Sequence, residues 1–208
     1  MFRMGTIMNE LKKNQPFFIV FEGIDGSGKT TLSKMLLEYL REKGFETVWY
    51  REPGDSEWGR KIRDLANSND SIPIEEELNY FVEDRKYTVK NYITPAKEQG
   101  KIMILDRYFY STACYQGARG LDVDNILAVN REFAPDPDCV LLIDVTVETA
   151  MERINQNRDS TARLFEKKEY LEAVRRRYLA LEGDNICPIN GNNAIDTVFA
   201  DIKKALKI

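Results

Sequence analysis

Apolar runs and segments of helical period alternate along this chain almost from end to end. Phe17–Phe21 is an unbroken run of β-favouring residues, and the chain then breaks at Gly23. Thr47–Tyr50, Lys101–Leu105, Cys139–Val145 and Ile186–Asn190 read as further short strands. Between them apolar positions recur three and four apart. Thr31–Lys43, for example, carries Leu32, Met35, Leu36, Tyr39 and Leu40 and stops at Gly44. The same period predicts helices at Ser56–Ser68, Ile74–Gln99 with a break near Pro95, Phe109–Gln116 and Asp122–Phe133. It also predicts Thr149–Asn157, Lys167–Leu181 and Ala194–Leu206. The strands are apolar throughout rather than alternating, so they are buried on both faces. That predicts an α/β protein with a parallel sheet covered by helices on both sides. No repeat or linker divides the chain, which predicts one domain over 16–208. Residues 1–15, with Met1, Met4 and Met8 ahead of the first strand, read as a disordered N-terminal extension.

Composition narrows the class without naming the chemistry. The 208 residues are 43% hydrophobic and 31% charged, ordinary for a soluble globular protein. A net charge of −4 argues against nucleic acid as a partner, since that would call for a basic surplus. No apolar run reaches membrane-spanning length and no signal-peptide core precedes the first strand, so no membrane is expected. Cys114, Cys139 and Cys187 are odd in number and lack metal-ligand spacing, which suits reduced packing residues in a cytoplasmic protein. There is no histidine, which excludes histidine bases, triads and His-ligated zinc.

The break after the first strand carries the strongest motif. Gly23, Ile24, Asp25, Gly26, Ser27, Gly28, Lys29 and Thr30 spell G-x-x-x-x-G-K-T, the phosphate-binding loop, and Thr31 opens a helix. Glycines let successive N–H groups point into one concavity, and the following helix aims its positive end there. Lys29 supplies a compact cation for the terminal phosphates, and the Thr30 hydroxyl can ligate Mg²⁺. A nucleoside triphosphate is therefore expected.

Ligands of parallel sheets sit beyond the carboxyl ends of the strands. Two further strand ends here are polar. Asp106 and Arg107 close the Lys101–Leu105 run: the carboxylate suits the metal shell, and the guanidinium a phosphate fork. Asp144 competes for the metal role from another strand end, but Asp106 has the anion-binding arginine beside it. Arg51 is a second candidate clamp. In Tyr80–Arg85 an aromatic, Phe81, and Arg85 stand four residues apart on one helix face, able to stack on and edge-bond a nucleobase. Arg153, Arg158 and Arg163 flank a polar interruption, a basic excursion that could close over a phosphate site.

Taken together, FEGIDGSGKTT (21–31), REPG (51–54), FVEDR (81–85), LDRYFYSTACYQG (105–117), PDPDCVLLIDV (135–145) and RLFEKKEYLEAVRRRY (163–178) resemble the thymidylate kinase family of P-loop nucleoside monophosphate kinases. They come in the family's order and cover most of the chain. The resemblance implies the P-loop NTPase fold, a five-stranded parallel sheet with a small lid over about residues 153–165, and a homodimer. It implies transfer of the γ-phosphoryl of ATP to dTMP with Mg²⁺. Phe81 would stack on thymine and Arg85 reach its edge; Thr112 and Gln116 would line the base and sugar pocket. Tyr115 would exclude a ribose 2′-hydroxyl, Arg51 and Arg107 would clamp the acceptor phosphate, and Asp25 would bond the acceptor's 3′-hydroxyl. Members without an arginine in the loop, as here with Gly26, take one from the lid. Arg163 is the first choice for it, Arg158 the second and Arg153 the third.

The alternative is a kinase for another nucleoside monophosphate or for a deoxynucleoside. A deoxynucleoside kinase would need a strong base at a 5′-hydroxyl and fewer phosphate clamps than Arg51 and Arg107 offer. A GTP-binding switch would carry an N-K-x-D motif, which this sequence lacks.

Overall fold

The computed structural model describes residues 11–68, 70–155 and 162–208. Five strands, β1 (Phe17–Glu22), β2 (Thr47–Arg51), β3 (Ile102–Asp106), β4 (Cys139–Asp144) and β5 (Ile186–Asn190), form one sheet in the order β2-β3-β1-β4-β5. Every neighbouring pair is parallel. Phe21 of β1 and Arg51 of β2 both pair in register with Asp106, so these strands end level with one another.

Successive residues of β1 serve opposite layers, which is why the strand is apolar throughout. Phe18 and Val20 join Met103, Leu105, Val140 and Leu142 in one core. Phe17, Ile19 and Phe21 join Ile102, Ile104, Leu141 and Ile143 in the other. The second layer is closed by α1 (Lys29–Glu42), through Leu32, Leu36 and Leu40, and by α9 (Ile195–Leu206), through Val198 and Ile202. The first is covered by α5 (Phe109–Gly117), α6 (Val123–Arg131) and α8 (Ala162–Leu179). All three cysteines are buried.

Several helix limits depart from the sequence expectation. The long helix does not break at Pro95. It runs as α3 (Ile74–Thr88), a wide π segment (Val89–Ile93) and α4 (Thr94–Glu98), and Pro95 sits in the first turn of α4. The Thr94 N–H reaches back five residues to the Val89 carbonyl, and a widened turn here relieves the clash a proline ring makes with the turn before it. Before it, α2 (Glu57–Asn67) is capped by Ser56, whose side chain accepts from the Gly59 N–H. α7 (Val147–Asn155) starts two residues earlier than expected, because the Thr146 hydroxyl caps the Thr149 N–H at 3.2 Å. α8 starts at Ala162 rather than at Lys167. Of the expected N-terminal extension, 1–10 fall outside the described residues, while Leu11 packs on the second core layer.

Candidate active site

The loop between β1 and α1 turns on glycines whose missing side chains are required. A β-carbon on Gly23, at φ 140°, would stand 2.4 Å from the Ile143 carbonyl oxygen. α1 has no side-chain cap, and Gly28 before it is left-handed, so the free N–H groups of the first turn face the loop. Lys29 is buried, with Nζ donating to the Ile24 carbonyl at 2.8 Å and the Ser27 Oγ at 3.2 Å. Burial, helped by the nearby Arg107 charge, holds its ammonium down to about 7 against the pull of Asp25, Asp106 and Glu22. The exposed Thr30 donates its hydroxyl to Asp106 Oδ2. Asp106 Oδ1 is buried with no hydrogen-bond partner. Asp144, the competing carboxylate, is held by the guanidinium of Arg175 on α8 at 2.7 and 2.9 Å.

Arg107 stands across the loop from Lys29. It has a left-handed backbone, φ 72°, rare for a residue with a side chain and typical of sites that the surrounding structure holds under strain. Its Nη2 donates to Asp25 Oδ1 at 2.5 Å and its Nη1 to Ser111 Oγ at 3.1 Å, while the guanidinium lies 5.3 Å from the Tyr115 ring centre. The Asp25 N–H donates to the Tyr115 hydroxyl at 2.9 Å. The Tyr115 contact ties the loop directly to α5, and Arg107 ties it there through Ser111.

Beside them lies a third group. Phe81 is half-buried on α3, whereas Arg85, one turn on, is 1% exposed. The sequence suggests an arginine fork open to a ligand; the structure engages most of it within the protein. Nε and Nη2 donate to Glu52 Oε2 at 2.9 and 2.6 Å, Nη1 to Asn130 at 2.7 Å and Nη2 to Thr112 Oγ1 at 3.1 Å. Burial pushes the Glu52 acid up to about 7, against the opposing pull of Arg85. The neighbouring Asp84 accepts from the Gly54 N–H at 2.7 Å and from the Ser56 hydroxyl. FVEDR and REPG thus fasten α3 to the turn after β2. Arg51 ends β2 exposed, level with Asp106. Gln116 is buried and donates to Glu77 at 3.0 Å.

Of the three arginines expected to serve a lid, Arg158 lies outside the described residues, and Arg163 has its backbone in the first turn of α8. Arg153 has its guanidinium bonded within the protein. It donates to the Gly191 carbonyl at 2.9 Å and the Ser27 carbonyl at 3.4 Å, in a cleft of about 240 Å³ that Thr31, Asn193 and Ile195 also line. Sequence reading missed Glu22, Glu52, Asp84 and Asn130. Glu22, Glu52 and Asp84 lie inside motifs whose other residues carry the expected roles, and that was the only signal available.

The parallel sheet, the loop after its central strand and the polar strand ends around it define a protein of the P-loop NTPase fold. A family model described as thymidylate kinase matches residues 21–202. The thymidylate kinase of Desulfotalea psychrophila is 42% identical over 197 residues, 95% of this chain and 97% of that protein. That of Akkermansia muciniphila is 41% identical, covering 91% of each chain. The crystal structure of thymidylate kinase from Ehrlichia chaffeensis is similar with a TM-score of 0.75 and 29% identity, over 92% of this chain and 99% of that one. The chain belongs to the thymidylate kinase family, a family of phosphotransferases.

Proposed function

We propose that the protein transfers the γ-phosphoryl of ATP to dTMP, giving ADP and dTDP. The observation that carries this reading is the pairing of Arg107 with Asp25. Arg107 lies against the phosphate loop through this contact, and a guanidinium fork there suits an acceptor phosphate beside donor phosphates. Lys29 faces the β- and γ-phosphates from inside the loop, and their charge restores the proton that burial disfavours. The cleft beside Arg153 and Asn193 continues from the loop and suits the donor's base. On the other side Phe81 stacks on thymine, Arg85 and Thr112 address its polar edge, Gln116 closes the pocket and Arg51 adds a second clamp.

Mg²⁺ suits the residues present. Among the described residues no group of three or more His, Cys, Asp or Glu could hold a metal, so the ion would depend on the nucleotide's phosphates for much of its shell. Thr30 and Asp106 would hold it, the latter through the buried oxygen that lacks a partner. When bound it neutralises charge on the phosphates. The protein's own task is alignment: Lys29 and Arg107 fix donor and acceptor in line, and a lid arginine, Arg163 or Arg158, adds charge at the transferred group and helps exclude water. Asp25 takes the 3′-hydroxyl, and Tyr115 blocks a 2′-hydroxyl. The same reading makes the working form a cytoplasmic homodimer acting on free nucleotides.

The test is ADP release with ATP, Mg²⁺ and a panel of acceptors. dTMP should exceed UMP in kcat/KM by orders of magnitude. dUMP should fall less far behind, because the methyl group alone is worth only about 1–3 kcal/mol. UMP, CMP or AMP outperforming dTMP would overturn the assignment.

A further inference from the structure

Glu22 closes β1 immediately before the phosphate loop and is fully buried. A buried carboxylate is costly unless it is hydrogen-bonded, and this one is held from three directions. Oε1 accepts from the Tyr108 N–H at 2.8 Å and the Ser111 N–H at 3.1 Å. Oε2 accepts from the Ser111 hydroxyl at 2.6 Å and the Tyr178 hydroxyl of α8 at 2.8 Å. These donors surround Arg107, the residue in a left-handed backbone. The Arg107 N–H is taken by the Phe21 carbonyl at 3.0 Å and the next N–H, that of Tyr108, by Glu22. The peptide units on both sides of Arg107 are therefore pinned to the end of β1. The side chain is pinned as well, because Ser111 Oγ, which donates to Glu22, accepts from Arg107 Nη1.

We propose that Glu22 is a positioning residue for the acceptor's phosphomonoester. It holds Arg107 in its strained turn and, through Ser111, sets the aim of the guanidinium. Tyr178 makes the same carboxylate a junction with α8, the helix whose first turn carries Arg163. A carboxylate that only fastened α5 to the sheet would need the two backbone bonds and nothing more. The hydroxyl relay to a guanidinium is what a purely structural anchor does not require. This inference rests on the reading of Arg107 as the clamp on the acceptor phosphate.

The two roles separate when binding of dTMP is compared with binding of thymidine, which has the same base and sugar and no phosphate. Titration calorimetry of the full-length protein should show Glu22→Gln binding dTMP about 30-fold more weakly or worse. Thymidine affinity should stay within about threefold, because the base pocket is built on Arg85 and Thr112 instead. Tyr178→Phe removes one donor and leaves the rest, so it should fold whatever Glu22→Gln does and show the same selectivity at smaller size. Adding Glu22→Gln to Arg107→Ala should weaken dTMP binding no further. Equal losses for dTMP and thymidine, or no loss in either variant, would overturn the inference alone. A parent protein that does not prefer dTMP to thymidine would overturn the clamp reading of Arg107 and this inference with it.

Discussion

A β-carbon on Gly26 would come within 2.4 Å of the carbonyl oxygen of Ala150, and Gly26 has a φ of 80°. The loop rests against the backbone of α7 at this point, and backbone cannot give way as a side chain can. No side chain fits at position 26 in this loop conformation, so an arginine there would require the loop or α7 to shift.

Gly26→Ala should therefore lower stability by about 1–3 kcal/mol, from the left-handed backbone and the contact with α7 together. It should also reduce turnover sharply. Gly26→Arg should not create a substitute for a lid arginine. Thermal melts beside ADP-release rates check both, and a parent-like melting temperature for Gly26→Ala would count against the fit described.

In the proposed mechanism a lid arginine supplies the charge at the transferred phosphoryl. Arg163→Ala is expected to lower kcat about a hundredfold or more while the KM for dTMP changes little, the signature of an interaction made mainly in the transition state. Arg163→Lys should recover only part, since a point charge does not reproduce the planar fork. Single-turnover rates decide it, with Arg158→Ala as the comparison; parent rates in both variants would leave the lid no chemical part.

Lys29 gives a pH signature. Its folded-state value of about 7 lies below the ordinary 10.5, so the folded protein without nucleotide binds fewer protons than the unfolded chain. Lys29 disfavours folding fully below pH 7, and that disadvantage is relieved as pH rises from about 7 toward 10.5. Nucleotide phosphates favour the charged form, so ADP binding at pH 8 should take up a proton. Calorimetry in buffers of different ionisation enthalpy would show it. The uptake should fade well below pH 7 and vanish in Lys29→Met, which should also lose turnover while remaining folded.

Glu52→Gln tests the anchor of Arg85. At pH 8.5, above the value of about 7 to which burial lifts the Glu52 acid, removing the charge leaves a buried guanidinium without its counterion, which typically costs about 3–5 kcal/mol. Urea unfolding should show a loss of this order, and kcat/KM for dTMP should drop with it, because Arg85 no longer holds its place beside Thr112. An undiminished unfolding midpoint would mean that Asn130 and Thr112 alone suffice to hold the guanidinium.

The architecture was legible in the sequence because burial on both faces writes itself as unbroken apolar runs. Phe17–Phe21 and the Cys139–Val145 run fit inner strands of a covered parallel sheet, and they form β1 and, through Asp144, β4. The phosphate loop was legible for a local reason too: its glycines, Lys29 and Thr30 work through backbone geometry contained within eight consecutive residues.

What the sequence by itself could not decide is who holds whom across the fold. Helical spacing put Phe81 and Arg85 on one face of α3, but only packing buried Arg85 against Glu52, Asn130 and Thr112. The choice between Asp106 and Asp144 rested on a neighbouring residue in the chain; the structure adds that Arg175, on a helix far along the sequence, engages Asp144. Glu22 stood at the edge of the strongest motif and drew no attention, since its partners Tyr108, Ser111 and Tyr178 lie 86 to 156 positions away. Local periodicity reports which face of an element is buried. The partners of a buried charge depend on long-range packing, and that information exists only once the chain has folded.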